Sequence, residues 1–170
     1  MMSATNAKLT NLTQDTEIDQ LSSSKEASPA KGRSEISIEM IKKTKKQEPK
    51  IFPGLMLVDK EAFESSGQSN TKFIMKQFWQ SPNNKILIAR KVDTQAIIGY
   101  AIISISDPKE PRLGKNKRVP QVYLLRIGVR INSQRQGIGR KLMNYILGNY
   151  SEHPISLDVS TDNGKALKFY

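Results

Sequence analysis

Residues 134–141, Gln-Arg-Gln-Gly-Ile-Gly-Arg-Lys, gather the groups in this chain best suited to holding an anion. Gly137 and Gly139 let backbone come close to a ligand, and Arg135, Arg140 and Lys141 supply positive charge. From Ile138 onward the apolar residues Ile138, Leu142, Met143, Ile146 and Leu147 keep the spacing of an amphipathic helix, which Gly148 and Asn149 end. Before the glycines, Val122, Leu124, Ile127 and Val129 mark a strand of about eight residues. The first amides of a helix have no intrahelical partner and carry partial positive charge. A strand, a glycine pair and a helix in that order therefore make a site for a phosphate-bearing ligand.

Spacing narrows the choice of ligand. A P-loop needs four residues between its glycines, and here only Ile138 separates Gly137 from Gly139. A dinucleotide fingerprint needs a third glycine where this chain has Leu142. What remains is Gln134-x-x-Gly137-x-Gly139 between a strand and a helix. It resembles the acetyl-CoA signature of the GNAT superfamily of N-acetyltransferases, Gln/Arg-x-x-Gly-x-Gly/Ala. A second stretch extends the resemblance. In GNAT enzymes a strand of the form Leu-acidic-or-His-Val leads to Asn-x-x-Ala-x-x-Phe-Tyr, and here Leu157, Asp158 and Val159 precede Asn163, Ala166, Phe169 and Tyr170. The resemblance covers about residues 35–170 and is closest to the protein N-terminal acetyltransferase branch, which includes the bacterial enzymes acting on ribosomal-protein alanine.

The resemblance implies acetyl-CoA as co-substrate and a set of roles. Backbone groups of Ile127, Gly128 and Val129 would pair with pantetheine as if it were an extra strand, with Gly128 marking a bulge. The pyrophosphate would rest on the loop after Gln134, on the amides of Arg135, Gln136, Gly137, Ile138, Gly139, Arg140 and Lys141. Asn163 would bond the pantetheine arm or cap its helix. Tyr170 corresponds to the general acid beside the departing sulfur, or is a core aromatic. Asp158 stands where relatives place a Glu or His base, or serves as a structural or substrate-orienting carboxylate.

The acceptor would be a primary amine, most readily a protein N-terminus. At pH 7 roughly one lysine side chain in 2,500 is neutral, against roughly one α-amine in ten, so the α-amine asks far less of a base. Lysine, a small amine, or a catalytically inactive acyl-CoA-binding module are the alternatives. The family's last helix ordinarily leads into further strands, so a chain ending at Tyr170 is expected to be C-terminally truncated or an unusual short form.

The 170 residues suit one ordinary domain. Residues 1–33 hold four basic and four acidic residues, so the net charge of +11 lies entirely beyond them. A basic domain fits an anionic ligand. The absence of cysteine excludes disulfides, thiolate metal sites and a cysteine acyl-enzyme, and no metal site is expected. No apolar run is long enough for a membrane span or a signal core, so no membrane partner is expected and the default compartment is cytoplasmic or nuclear. The sequence gives no oligomeric state.

Elements can be set around these residues in chain order. Residues 1–33 are polar and read as a disordered tail, followed by a domain over 34–170. Residues 35–41 alternate as a strand, and Lys-Lys-Thr-Lys-Lys at 42–46 reads first as a solvated loop and second as a nuclear-import or nucleic-acid patch. A nucleic-acid partner is therefore not the leading expectation. Pro53-Gly54 opens a helix with Leu55, Val58, Ala62 and Phe63 on one face. A second helix over 71–80 has Phe73, Ile74, Phe78 and Trp79, read as core. Residues 85–92 and 96–106 form a hairpin, and 107–118 a polar turn. His153 reads as a surface-loop residue, 155–159 as a strand, and 160–163 as the cap of a final helix. The expected class is α/β (α+β): a mixed, mostly antiparallel GNAT-like sheet that splays at its central strand, with flanking helices and its C-terminal strands missing.

Overall fold

A computed structural model describes residues 35–106, 120–161 and 163–170, apart from the side chains of Ser65 and Lys165. The expected tail over 1–33 and the polar turn over 107–118 lie outside the described residues. The elements are β1 (Ile36–Met40), α1 (Glu48–Phe63), α2 (Lys72–Gln80), β2 (Asn84–Lys91), β3 (Ile97–Ser106), β4 (Gln121–Val129), α3 (Ile138–Asn149), β5 (Ile155–Leu157) and α4 (Gly164–Leu167). The strands form one sheet in chain order, antiparallel except for the parallel pair β4–β5.

β2 and β3 are apolar nearly throughout because helices cover both of their faces. On one side Ile86, Ile88, Tyr100 and Ile102 meet Leu55 and Val58 of α1 and Met75 and Trp79 of α2. On the other, Leu87, Ala89, Ala101 and Ile103 meet Ile138, Leu142 and Ile146 of α3. Among the described residues no helix is long and apolar enough to cross a membrane.

In β4, Val122, Leu124, Ile127 and Val129 all pack on the α3 side, although strict alternation would put 124 and 127 on opposite faces. Leu125 resolves this. Ile103 pairs with Leu124 and Ile102 with Arg126, so Leu125 is an extra residue that bulges the strand and resets its alternation. The bulge expected at Gly128 thus falls at Leu125. Gly128 has a different reason to lack a side chain: a Cβ there would lie 3.0 Å from the Phe63 ring and 3.3 Å from Ala62. α1 crosses β4 at that point.

Other expectations shift for identifiable reasons. α1 starts at Glu48, well before Pro53, because buried Ile51 and Phe52 draw the preceding turn onto the sheet. Pro53 then sits inside the helix, where its ring forfeits one early hydrogen bond. In α2, Thr71 caps the helix by accepting from the Ile74 amide. The buried stripe is Met75 and Trp79, one turn apart, while Phe73, half a turn away from Met75, is 70% exposed and Ile74 also faces out. Gly148 belongs to α3, which continues to Asn149. β5 spans only Ile155–Leu157. His153 is half-buried, its ring edge-on to Tyr150 with centroids 5.8 Å apart.

Candidate active site

β4 and β5 pair from Val122↔Ile155 to Leu124↔Leu157 and no further. The pairing ends at the bulge. Beyond it β4 bonds only to β3, so the edge of Ile127, Gly128 and Val129 turned away from β3 has no strand beside it among the described residues. Here an extended ligand can hydrogen-bond to backbone as an added strand does. At the strand's end Gln134 Nε2 donates to Val129 O at 3.1 Å, which ties the following loop to β4.

That loop turns through a short 3-10 segment at Ile131–Ser133, then Arg135 (φ 61°) and Gly137 (φ 78°) adopt left-handed backbone. Gln136 Nε2 donates to Asn132 O at 3.1 Å. Gly137 caps α3, and the first bond of that helix runs from Lys141 N to Gly137 O at 2.9 Å. The amides of Ile138, Gly139 and Arg140 therefore precede the helical ladder. Buried Ile138 fixes the helix start against the sheet, its Cγ2 lying 3.0 Å from where Gly99 would carry a Cβ. Arg135, Arg140 and Lys141 are exposed around the loop.

The two glycines do different work. A Cβ on Gly137 would meet nothing within 4 Å, so the position is open to a ligand as well as left-handed. A Cβ on Gly139 would lie 3.1 Å from the Phe169 ring. Gly139 thus admits the end of α4 against α3, while its amide stays among those free at the helix start. Free amides, a left-handed glycine and three cationic side chains fit a diphosphate such as that of CoA.

Downstream of β5 the remaining candidates take separate sides of the sheet. Asn163 caps α4, accepting from the Ala166 amide at 3.0 Å. Tyr170 packs on the α3-side cluster with its ring edge-on to Phe169 at 5.0 Å, and burial pushes its phenol up to about 12. Asp158 is exposed and accepts a hydrogen bond from the Tyr123 hydroxyl. Tyr123 alternates with Val122 and Leu124 and so faces the α1 side. Its own phenol is pushed up to about 12, by burial first and then by its bond to Asp158.

On the α1 side the structure adds a cluster absent from the sequence-based set. Asp59 is fully buried and accepts from Arg126 Nε at 2.6 Å, from the Tyr100 hydroxyl, and from the Asn70 amide. Arg126 also donates to Gln68 O and lies 3.7 Å over the Phe63 ring. The turn between α1 and α2 is thereby fastened to β4 one residue past the bulge. Burial of Tyr100 raises its phenol pKa. Arg130 forks onto Glu61 at 2.7–3.1 Å, a pairing that lowers the Glu61 pKa and raises that of Arg130. One signal was available: Asp59 lies one turn after Leu55, a charge on the apolar stripe of α1.

Comparison with known proteins bears on this architecture. Residues 52–170 match the model of the Acetyltransferase (GNAT) family. Comparison with curated protein sequences gives no match. Among solved structures, the aminoglycoside acetyltransferase meta-AAC0020 from an uncultured soil metagenomic sample, in complex with sisomicin, is 22% identical with a TM-score of 0.62, covering 79% of this chain and 84% of that one. The ribosomal-protein-alanine N-acetyltransferase from Brucella melitensis biovar Abortus 2308 is 17% identical with a TM-score of 0.57, covering 80% and 88%. The ribosomal-protein-S18-alanine N-acetyltransferase from Escherichia coli is 16% identical with a TM-score of 0.59, covering 80% and 74%. These likenesses establish a shared fold, and they span two kinds of acceptor without choosing between them. The family match over most of the chain, on a sheet that opens beside a glycine-capped helix, shows that the chain belongs to the acetyltransferase (GNAT) family of N-acetyltransferases.

Proposed function

We propose that this chain transfers the acetyl group of acetyl-CoA directly to a protein N-terminal α-amine. The observation that carries the reading is the unpaired edge of β4 ending beside the open, left-handed Gly137. An extended thioester arm lies along that edge, bonded to the outward-pointing backbone groups of Ile127 and to the Val129 amide, with Gly128 between them, while its diphosphate meets the amides at the start of α3. Arg135, Arg140 and Lys141 neutralise the phosphates, and Gln134 and Gln136 hold the loop in shape. Asn163 caps α4 and keeps Tyr170 in place.

In the reaction the neutral amine attacks the thioester carbonyl, the C–S bond breaks, and the amine's proton passes to a base. Asp158 is that base, with Tyr123 as its bonded neighbour. Tyr170 donates a hydrogen bond to the departing sulfur. With a phenol near 12, complete proton transfer to a free thiolate near 8.5 is uphill by roughly 5 kcal/mol, so the donation matters most while the sulfur is desolvated. The α-amine is favoured over lysine by its larger neutral fraction and by the resemblance of residues 35–170 to the N-terminal acetyltransferase branch. A second reading, a small polyamine acceptor, is supported by the aminoglycoside acetyltransferases among the structural neighbours.

The test is acetyl-CoA consumption with three acceptors: peptides with a free α-amine, the same peptides blocked at the N-terminus but containing lysine, and aminoglycosides. Turnover of the first set that is lost in Tyr170→Phe supports the proposal. Turnover confined to the aminoglycosides moves the acceptor to the second reading. Tight CoA binding with no turnover of any acceptor makes the chain an acyl-CoA-binding module.

A further inference from the structure

The lysine-rich run after β1 is a fixed turn. Ile41 is buried and its amide bonds Ile86 O, Lys43 Nζ donates to Ser81 O, and Thr44 receives the amides of Gln47 and Glu48 before Ile51 and Phe52 enter the core. Lys42, Lys43, Lys45, Lys46 and Lys50 are thus presented from an ordered base, with Lys85 beside them on β2. None of the six ammonium groups forms an ion pair with a described carboxylate. Glu39 is occupied by Arg90, and Glu48 alone opposes them in this turn. Burial first, and then the charge of Lys85, lower the Lys43 pKa. Lys46 and Lys50 line an open depression of about 390 Å³ together with Thr44 and Arg90.

We propose that this corner docks the sugar–phosphate backbone of a nucleic acid. Lysines are point charges suited to phosphate contacts that carry no sequence information. The Arg90 guanidinium is already engaged by Glu39 and by Gln95 O, so no free planar fork is offered to a base edge or a carboxylate. The apolar residues of the stretch, Ile41, Ile51 and Phe52, are all buried. That leaves no aromatic platform for stacking bases, no apolar anchor of the kind protein partners use, and nothing to insert into a bilayer. Backbone phosphates are what this surface can recognise, the second of the two readings of residues 42–46. The proposal does not depend on the acetyl acceptor.

The experiment measures binding of the full chain to a labelled single-stranded RNA and a labelled DNA duplex by fluorescence anisotropy across a salt series. If four lysines meet phosphates, log K falls against log salt with a slope of about −3.6 on duplex and about −2.8 on a single strand. The variant Lys46→Glu/Lys50→Glu is expected to weaken binding on the order of tenfold and to flatten the duplex slope by about 1.8, with CoA affinity unchanged. The charge-matched control Lys60→Glu/Lys72→Glu, on exposed parts of α1 and α2, is expected to change little. The ratio of the two affinities says whether RNA or DNA is preferred. Failure to bind either nucleic acid overturns the proposal. Equal loss in the control does so too, as does binding only to phosphatidylserine vesicles or to polyglutamate.

Discussion

Tyr123, in the paired half of β4, donates its hydroxyl hydrogen bond to Asp158, the first residue after β5. The bond bridges the two strands just before they part, and it sets one phenol between the carboxylate and the α1 side of the sheet. Tyr123→Phe removes the bridge with almost no change in volume. We expect kcat with a peptide acceptor to fall about 10- to 100-fold while CoA affinity stays within twofold, as for loss of a group that assists proton transfer. Unchanged kcat in steady-state assays would separate Asp158 from the chemistry.

Gly137 and Gly139 should respond differently to substitution. Gly137→Ala forces a side chain into left-handed backbone at a cost of about 1–2 kcal/mol in stability, with space for the methyl itself. Gly137→Glu adds a carboxylate at the anion cradle and should weaken CoA binding by tenfold or more in calorimetry. Gly139→Ala presses on the Phe169 ring and should lower Tm with a smaller effect on CoA. Equal losses of CoA affinity in Gly139→Ala and Gly137→Glu would contradict this division of labour.

The Asp59–Arg126 pair should show strong coupling in urea denaturation. Arg126→Met leaves a fully buried carboxylate without its cation and is expected to cost about 5 kcal/mol. Asp59→Ala frees a guanidinium that is partly exposed and should cost about 3 kcal/mol. The double variant should cost clearly less than the sum, because neither charge is then stranded. Additive costs would mean that the two side chains act independently.

Alkaline stability follows from four raised phenols, Tyr100, Tyr123, Tyr150 and Tyr170. Tyr123 and Tyr170 are both raised from 10.0 to about 12. Below pH 10 they are neutral in folded and unfolded chains alike, and their contribution is fully present. Between pH 10 and 12 the unfolded chain ionises first, so that contribution is lost as pH rises. Tm should hold to about pH 10 and then fall, less steeply in Tyr170→Phe. Native-state tyrosinate absorbance that rises fully near pH 10 would refute the assignment.

The strand–turn–helix frame of the candidate site is legible in the sequence because its requirements are local. Gly137, Ile138 and the apolar spacing of α3 lie within one strand–turn–helix unit, whereas the bulge, expected at Gly128, falls at Leu125, where only the three-residue step from Leu124 to Ile127 marks it. The Asp59 cluster was not legible because its partners come from β3, β4 and the turn after α1, and no short-range pattern joins Asp59 to Arg126. The start of α1 was misplaced because Pro53 and Gly54 look like a helix opening, whereas burial of Ile51 and Phe52 decides the boundary. Phe73 reads as core by residue type, yet a nine-residue helix offers the sheet only one stripe.

The extra residue in β4 decides where along that strand a change of length can be absorbed. Excising Leu125 would leave a plain alternating strand, with Arg126 and Arg130 still facing Asp59 and Glu61 and with Ile127 and Val129 still beneath α3, whereas losing one residue from the regular stretch on either side would send half of the strand's side chains to the wrong face. Libraries built on this scaffold can therefore vary side chains along β4 and shorten it at Leu125, but other single-residue insertions and deletions belong elsewhere.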